Sequence, residues 1–283
     1  MTTPKMPPPS LWMPLVKAAI AEDLGGVGDL TTKFFVPAKA RLRGRIVVKQ
    51  DGVICGLALA AAVFKAVSKR IKTKLLVKDG DKLRKGSVVM TVTGGREILT
   101  AERAALNFLQ RMSGVATLTS FYTAAVAGTR AKILDTRKTL PGWRALDKYA
   151  VACGGGVNHR MGLYDAVLLK DNHWAMGADI AAGVAAVRKR HHVPIGIEAA
   201  GLAQVKRALA CRPDVILLDN MSPPLLAQAI ALIRRSAPKV KIEISGGVSL
   251  DNVRALARLG PDRISIGRLT HSAPALDISL EIP

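Results

Sequence analysis

The sequence predicts an α/β protein whose larger part is a parallel α/β barrel, TIM-like but incomplete, preceded by a smaller α+β layer domain. Three observations carry that expectation. Beyond a long helical stretch ending near residue 127, short apolar runs alternate with segments long enough to be crossover helices. The runs at 132–135, 166–170, 195–198, 215–219, 241–245 and 264–267 include AVLLK and VILLD, continuous apolar strings of the kind parallel strands covered on both faces require. A charged residue or a glycine group closes each run, as in a barrel whose strand ends all open on one side. Six runs rather than eight make the barrel incomplete. An open doubly wound sheet would instead gather its ligands at one switch point.

The first hundred residues read differently. Leu11, Leu15, Ala18 and Ala19 recur at helical spacing over 10–24, with Ser10 as candidate N-cap and Pro14 inside the pattern. GGVGDLTT at 25–32 reads as a polar, glycine-rich turn. Segments 41–50, 72–77 and 87–93 are strand-like and rich in β-branched residues, and 56–68 reads as a helix. A long helix is expected from residue 100 to about 127.

With 283 residues, 49% of them hydrophobic, the chain can bury its core without disulfides or structural metals. Cys55, Cys153 and Cys211 form no CxxC pair and no His-interleaved zinc pattern, and read as buried thiols in a reducing compartment. No apolar run is long enough to span a membrane, and the proline-rich start lacks the apolar region of a signal peptide. A loose N-terminal tail and a cytoplasmic enzyme are expected. The net charge of +21, from 42 Lys and Arg against 21 Asp and Glu, favours anionic partners. Aromatic content of only 4%, with no zinc finger, RNP-like motif or basic heptad array, argues against a nucleic-acid-binding module. Small polyanionic substrates or a solvated basic face are the competing explanations.

Chemistry concentrates in 134–173, LDTRKTLPGWRALDKYAVACGGGVNHRMGLYDAVLLKDNH, where a cationic set meets a glycine triplet. Arg137, Lys138, His159, Arg160, Lys170 and His173 could surround an acidic substrate, because guanidinium forks match carboxylates and phosphates bidentately. TRKT alone would be a solvated loop and NHR alone a turn. Their shared position at strand ends favours a site.

These strings resemble the quinolinate phosphoribosyltransferase family, also called nicotinate-nucleotide pyrophosphorylase (carboxylating). The likeness runs through EDLGGVGDLTT at 22–32, ERAALNFLQRMSGVAT at 102–117, DTRKTLPG at 135–142, KYAVACGGGVNHRMGL at 148–163, LLKDNH at 168–173, LLDNMSP at 217–223, EISGG at 243–247 and IGRLTHSAPALDISL at 266–280. It implies an N-terminal open α/β sandwich over 1–104, an α/β barrel over 105–271, and a tail at 272–283 packing back on the sandwich. It also implies a homodimer. The quinolinate pocket would be Arg103, Arg137, His159, Arg160 and Lys170, with Arg103 reaching the partner's site. Lys138, Glu198 and Asp219 would serve phosphoribosyl pyrophosphate and its Mg2+, and Ser245, Gly246, Gly247, Gly267 and His271 its phosphates.

The implied chemistry agrees with the residues. A dianion with adjacent carboxylates suits a pocket of fixed cations, and glycines let backbone N–H groups approach phosphate closely. Two acids at strand ends suit a hard metal bridging through pyrophosphate oxygens. Gly196 stands where relatives often carry another acid, and Arg268 where a small residue is common. Three rivals remain on the sequence. A phosphoribosyltransferase for a monocarboxylate would need fewer cations, a molybdate-linked paralogue usually lacks an intact KDNH, and a polyanion-binding protein on the same fold would explain the charge.

Overall fold

The computed structural model describes residues 4–176 and 179–282. Helix α1 (Pro9–Leu24) starts ahead of Ser10, with Pro8 at the N-cap and Pro9 in the first turn, where a missing N–H costs nothing. Helix α2 (Leu30–Phe35) occupies part of the segment whose composition suggests a turn. The Asp29 carboxylate accepts from the Thr32 N–H at 2.8 Å and caps it. At the other end the Arg96 guanidinium donates to the carbonyls of Thr32, Lys33 and Val36 at 3.3, 3.1 and 2.8 Å.

Strands β1 (Leu42–Val48) and β2 (Gly52–Val53), helix α3 (Leu57–Val67), strands β3 (Lys72–Leu75), β4 (Lys82–Leu83) and β5 (Val88–Gly94), and the long helix α4 (Glu97–Ala125) follow. After them come β6 (Lys132–Leu134), α5 (Arg144–Cys153), β7 (Val167–Leu169), α6 (Asp171–Ala175), α7 (Ile180–Arg190) and β8 (Ile195–Ala199). The chain closes with α8 (Leu202–Ala210), β9 (Val215–Asp219), α9 (Pro223–Ser236), β10 (Lys241–Ser245), α10 (Val253–Arg258), β11 (Arg263–Ser265), α11 (Arg268–His271) and β12 (Ile278–Glu281).

The chain divides into two compact units. The first comprises residues up to 120, 139–155 and those from 269 onward. Its main sheet has the order β12-β1-β5-β3, antiparallel throughout. One face of that sheet buries Ile46, Met90 and Val92, and the other buried side chains of the unit include Leu59, Phe64 and Val63 of α3. Helix α4 supplies polar anchors as well as apolar surface: Ser113 Oγ accepts from the Cys55 N–H and Thr117 Oγ1 from the Val53 N–H, each at 2.9 Å. Gly114 is where the C-terminal segment crosses this helix, since a Cβ there would stand 2.0 Å from the Pro274 carbonyl oxygen. Gln110 holds the segment from both sides, accepting from the Leu276 N–H and donating to the Ile278 carbonyl.

The second unit, 121–138 and 156–268, is the incomplete barrel. Its six strands are parallel in the order β6-β11-β10-β9-β8-β7. Beside β6, Val157 adds a parallel bridge to Leu134. At the ends where the strands begin, Asp262 accepts from Arg130 and Arg234 and from the Ile242 N–H at 2.6, 2.8 and 2.8 Å. Burial opposes ionisation of that carboxyl, but the three donors outweigh it and hold it below the ordinary aspartate range. Among the described residues no helix is long and apolar enough to cross a membrane.

Candidate active site

Strand alternation decides which side chains enter the barrel. A cavity of 570 Å3 is lined by Lys132 and Leu134 of β6, Leu168 of β7, Gly196 of β8, Val215 and Leu217 of β9, Lys241 and Glu243 of β10, and Arg263 of β11. These are alternate residues, so the next inward position on each strand lies two residues further on. Those positions include Lys170, Glu198, Asp219, Ser245 and, in β11, Ser265. Four of the residues assigned to substrates from the sequence, Lys170, Glu198, Asp219 and Ser245, therefore share the inward alternation at the C-terminal ends of their strands. This is the face on which α/β barrels carry their chemistry.

The electrostatics of the layer centre on Glu198. Lys170 Nζ lies 3.8 Å from its Oε2. Burial pushes the Glu198 carboxyl above the ordinary glutamate range; Lys170 opposes that shift, and the charges of Asp219 and Asp171 reinforce it. Asp171 was not assigned a role from the sequence. It begins α6 and turns its N–H toward Glu198, so three acids share this rim. The Trp174 indole N–H donates to the Glu198 carbonyl at 3.1 Å and carries the Arg207 guanidinium 4.4 Å above its ring, fixing the strand end from the α6 side.

Asp219 and Ser245 are register partners on adjacent strands. The turns that follow both leave the usual backbone range, with φ of 51° at Asn220, 90° at Gly246 and 59° at Gly247. A Cβ on Gly246 would stand 2.1 Å from Asn220 Oδ1, while the same Asn220 donates to Asp219 Oδ2 at 2.7 Å. Asn252 Nδ2 holds the Gly247 carbonyl at 2.9 Å. The backbone of the SGG turn is thereby bare of side chains and pinned, as an anion cradle requires.

The cationic turns are tied together through Asp135, which is fully buried. It accepts from the His159 N–H at 2.8 Å, so the turn carrying Arg137 and Lys138 is joined to the one carrying His159 and Arg160. The Lys138 N–H is held by Thr136 Oγ1 at 3.0 Å. Arg160 donates to the Ala166 carbonyl at 2.9 Å. Its guanidinium is held below the usual arginine range, first by burial and then by the facing Arg137. The Asp165 charge opposes that shift, and an anion placed beside Arg160 would do the same. The His159 Nε2 lies 3.3 Å from Glu243 Oε1, inside the cavity.

Two assigned residues belong to the first unit. Arg103 is exposed on α4 next to Glu102, whose carboxyl burial raises and the Arg103 charge lowers. His271 ends α11, with Nδ1 2.6 Å from Ser272 Oγ.

Fold and site define a barrel enzyme whose strand ends present cations, acids and a bare glycine turn to a polyanionic substrate. Comparison with known proteins gives that class a family. The model of the quinolinate phosphoribosyl transferase N-terminal domain matches residues 29–113 and that of the C-terminal domain residues 115–281. The nicotinate-nucleotide pyrophosphorylase (carboxylating) of Mycobacterium leprae is 44% identical over 273 residues, covering 94% of this chain and 95% of its own. The chloroplastic protein of the same name from Arabidopsis thaliana is 40% identical over 95% of this chain and 82% of its own. The solved structure of the nicotinate-nucleotide pyrophosphorylase from Francisella tularensis superposes with a TM-score of 0.92 at 34% identity, covering 100% of this chain and 99% of that one. The chain belongs to the quinolinate phosphoribosyltransferase family.

Proposed function

We propose that the protein joins quinolinate to phosphoribosyl pyrophosphate, releasing pyrophosphate and CO2 and leaving nicotinate mononucleotide, a precursor in NAD synthesis. The observation that carries this reading is the pairing of two chemistries around one rim. Arg137, His159, Arg160 and Lys170 gather cationic groups beside one set of strand ends, and Glu198, Asp219 and a bare glycine turn occupy the others.

In this reading Arg137, Arg160, His159 and Lys170 take the two adjacent carboxylates and aim the ring nitrogen at the sugar. The backbone of Ser245, Gly246, Gly247 and Gly267, with His271, takes the phosphates, and Lys138 offsets charge on the departing pyrophosphate. As the bond from C1 of the ribose to pyrophosphate breaks, Glu198 and Asp219 steady the cationic sugar carbon, and the pyridine nitrogen forms the new bond. The ring then bears a positive charge at nitrogen. The adjacent carbon loses CO2, its bonding electrons staying on that carbon next to the cationic nitrogen, and a proton from Lys170 or a bound water takes the place of the carboxylate.

Magnesium would be held by Glu198 and Asp219, with Asp171 beside them. The mutual repulsion of these acids suits a cation. Two carboxylates at neighbouring strand ends would suit a hard divalent ion that keeps part of its water shell. When bound, it would neutralise charge on the pyrophosphate. A homodimer, with Arg103 of each subunit completing the quinolinate pocket of the other, belongs to the same reading.

The test is turnover by the purified protein. Quinolinate with phosphoribosyl pyrophosphate and Mg2+ should yield nicotinate mononucleotide, and nicotinate in place of quinolinate should yield little or none. Equal use of nicotinate would assign the site to a monocarboxylate instead.

A further inference from the structure

One face of the four-stranded sheet carries a cationic plate that the reaction above does not use. In β1, Gly44 and Ile46 are buried, so Arg43 and Arg45 stand on the opposite face, and both are exposed. In β5, Val92 is buried between Thr91 and Thr93, and in β3 the exposed Lys72 and Lys74 flank Thr73. Strand register lines these residues up. Arg43 is opposite Thr93, which is opposite Lys72; Arg45 is opposite Thr91, which is opposite Lys74. With strands about 4.8 Å apart and alternate residues about 6.8 Å apart, the four cations mark the corners of a rectangle of roughly 10 by 7 Å, with two hydroxyls along its midline.

Acids do little to neutralise this plate. Glu281 of β12 reaches Arg45 at 3.8 Å and also pairs with Lys49. Among the described residues, Arg43, Lys72 and Lys74 enter no ion pair. An antiparallel pair that places like charges two strands apart, on a chain already at +21, gains nothing in stability from them.

We propose that this face binds the phosphodiester backbone of a nucleic acid without reading its bases. The repeat of charges along the strands suits successive phosphates, and threonine hydroxyls between them can donate to phosphate oxygens. Neither row holds an aromatic side chain, so contact is with the backbone rather than with stacked bases. Neither row holds an apolar side chain that would enter a lipid surface.

The test is fluorescence anisotropy of the full chain with a labelled oligothymidylate and with a mixed-sequence duplex, across a range of salt. Four contacts on a single strand give a slope of log K against log salt of about −3. Lys72→Gln with Lys74→Gln should bring that slope to about −1.5 and weaken low-salt binding roughly tenfold or more. Arg188→Gln with Lys189→Gln, which removes the same charge at the end of α7, should leave the slope unchanged. Turnover of quinolinate should persist in both double variants and reports their folding. Saturating quinolinate and pyrophosphate at constant ionic strength should not displace the strand. An unchanged slope in the Lys72 and Lys74 variant, displacement by quinolinate or pyrophosphate, no binding at low salt, or preferential binding to phosphatidylserine vesicles would each overturn the proposal.

Discussion

His159 turns its Nε2 to within 3.3 Å of Glu243 Oε1, and Glu243 is a fully buried carboxylate in the middle layer of the barrel. Its second oxygen faces Arg263 at 3.9 Å. Neither carboxyl oxygen has a partner within hydrogen-bond geometry, so the approach of His159 is a close polar contact rather than one member of a saturated network. The ring is held from below by Glu243 and its backbone from the side by Asp135.

This arrangement makes Glu243 a positioning residue for the proposed quinolinate pocket. Glu243→Gln keeps the shape and removes the charge. It should raise the KM for quinolinate roughly five- to tenfold, about 1 to 1.4 kcal/mol, with a smaller effect on kcat. Steady-state kinetics with each substrate varied in turn measures this, and a change confined to the KM for phosphoribosyl pyrophosphate would contradict it.

Gly246 is the position where a side chain is excluded twice, by its φ of 90° and by Asn220 Oδ1 at 2.1 Å from where a Cβ would stand. Gly246→Ala should displace the turn at a strain of about 1 to 3 kcal/mol. The expected result is a KM for phosphoribosyl pyrophosphate raised at least about tenfold, with quinolinate binding by calorimetry little changed. Gly260, also at positive φ but with no atom within 4 Å of its Cβ position, is the control, and Gly260→Ala should affect stability alone.

The Asp262 network ties Arg130, Arg234 and the start of β10 to the start of β11. Its folded pKa is depressed below the unfolded value of about 3.9, so its contribution is fully present above that pH and is lost as pH falls through the folded pKa. At neutral pH Asp262→Asn should cost about 1 to 3 kcal/mol, lowering Tm by several degrees. The gap between the wild type and the variant should narrow below about pH 4. Thermal melts across pH decide this, and a gap that widened in acid would contradict the assignment.

Much of this was legible in the sequence because the barrel strands are bounded apolar runs: VILLD and KIEIS coincide with β9 and β10 residue for residue. Helix α2 is hidden because GGVGDLTT has the composition of a turn, although Asp29 is itself a preferred N-cap residue. Glu243 was overlooked beside the glycines that follow it. Strand alternation from Ser245 back to Glu243 would have placed it inside the barrel. Asp171 sits in KDNH beside Lys170, and its nearness to Glu198 depends on how the start of α6 lies against β8, which no local pattern encodes.

The homodimer in the proposed mechanism makes a prediction about mixing. Arg103→Ala and Lys170→Ala subunits should each be nearly inactive alone, since each removes a carboxylate-binding cation from both sites. In a mixed dimer one site would carry both defects and the other neither, so up to half of the activity of a wild-type dimer should return. Confirmed subunit exchange with no recovery would leave Arg103 to its local contact with Glu102, worth about 0 to 1 kcal/mol on an exposed helix.

The most direct measurement follows the carboxylate itself. Quinolinate labelled at the carboxyl next to the ring nitrogen, mixed with phosphoribosyl pyrophosphate, Mg2+ and the purified protein, should release labelled CO2 in a one-to-one ratio with nicotinate mononucleotide, and EDTA should stop both together. Mononucleotide without CO2, CO2 without mononucleotide, or full turnover in EDTA would contradict the account.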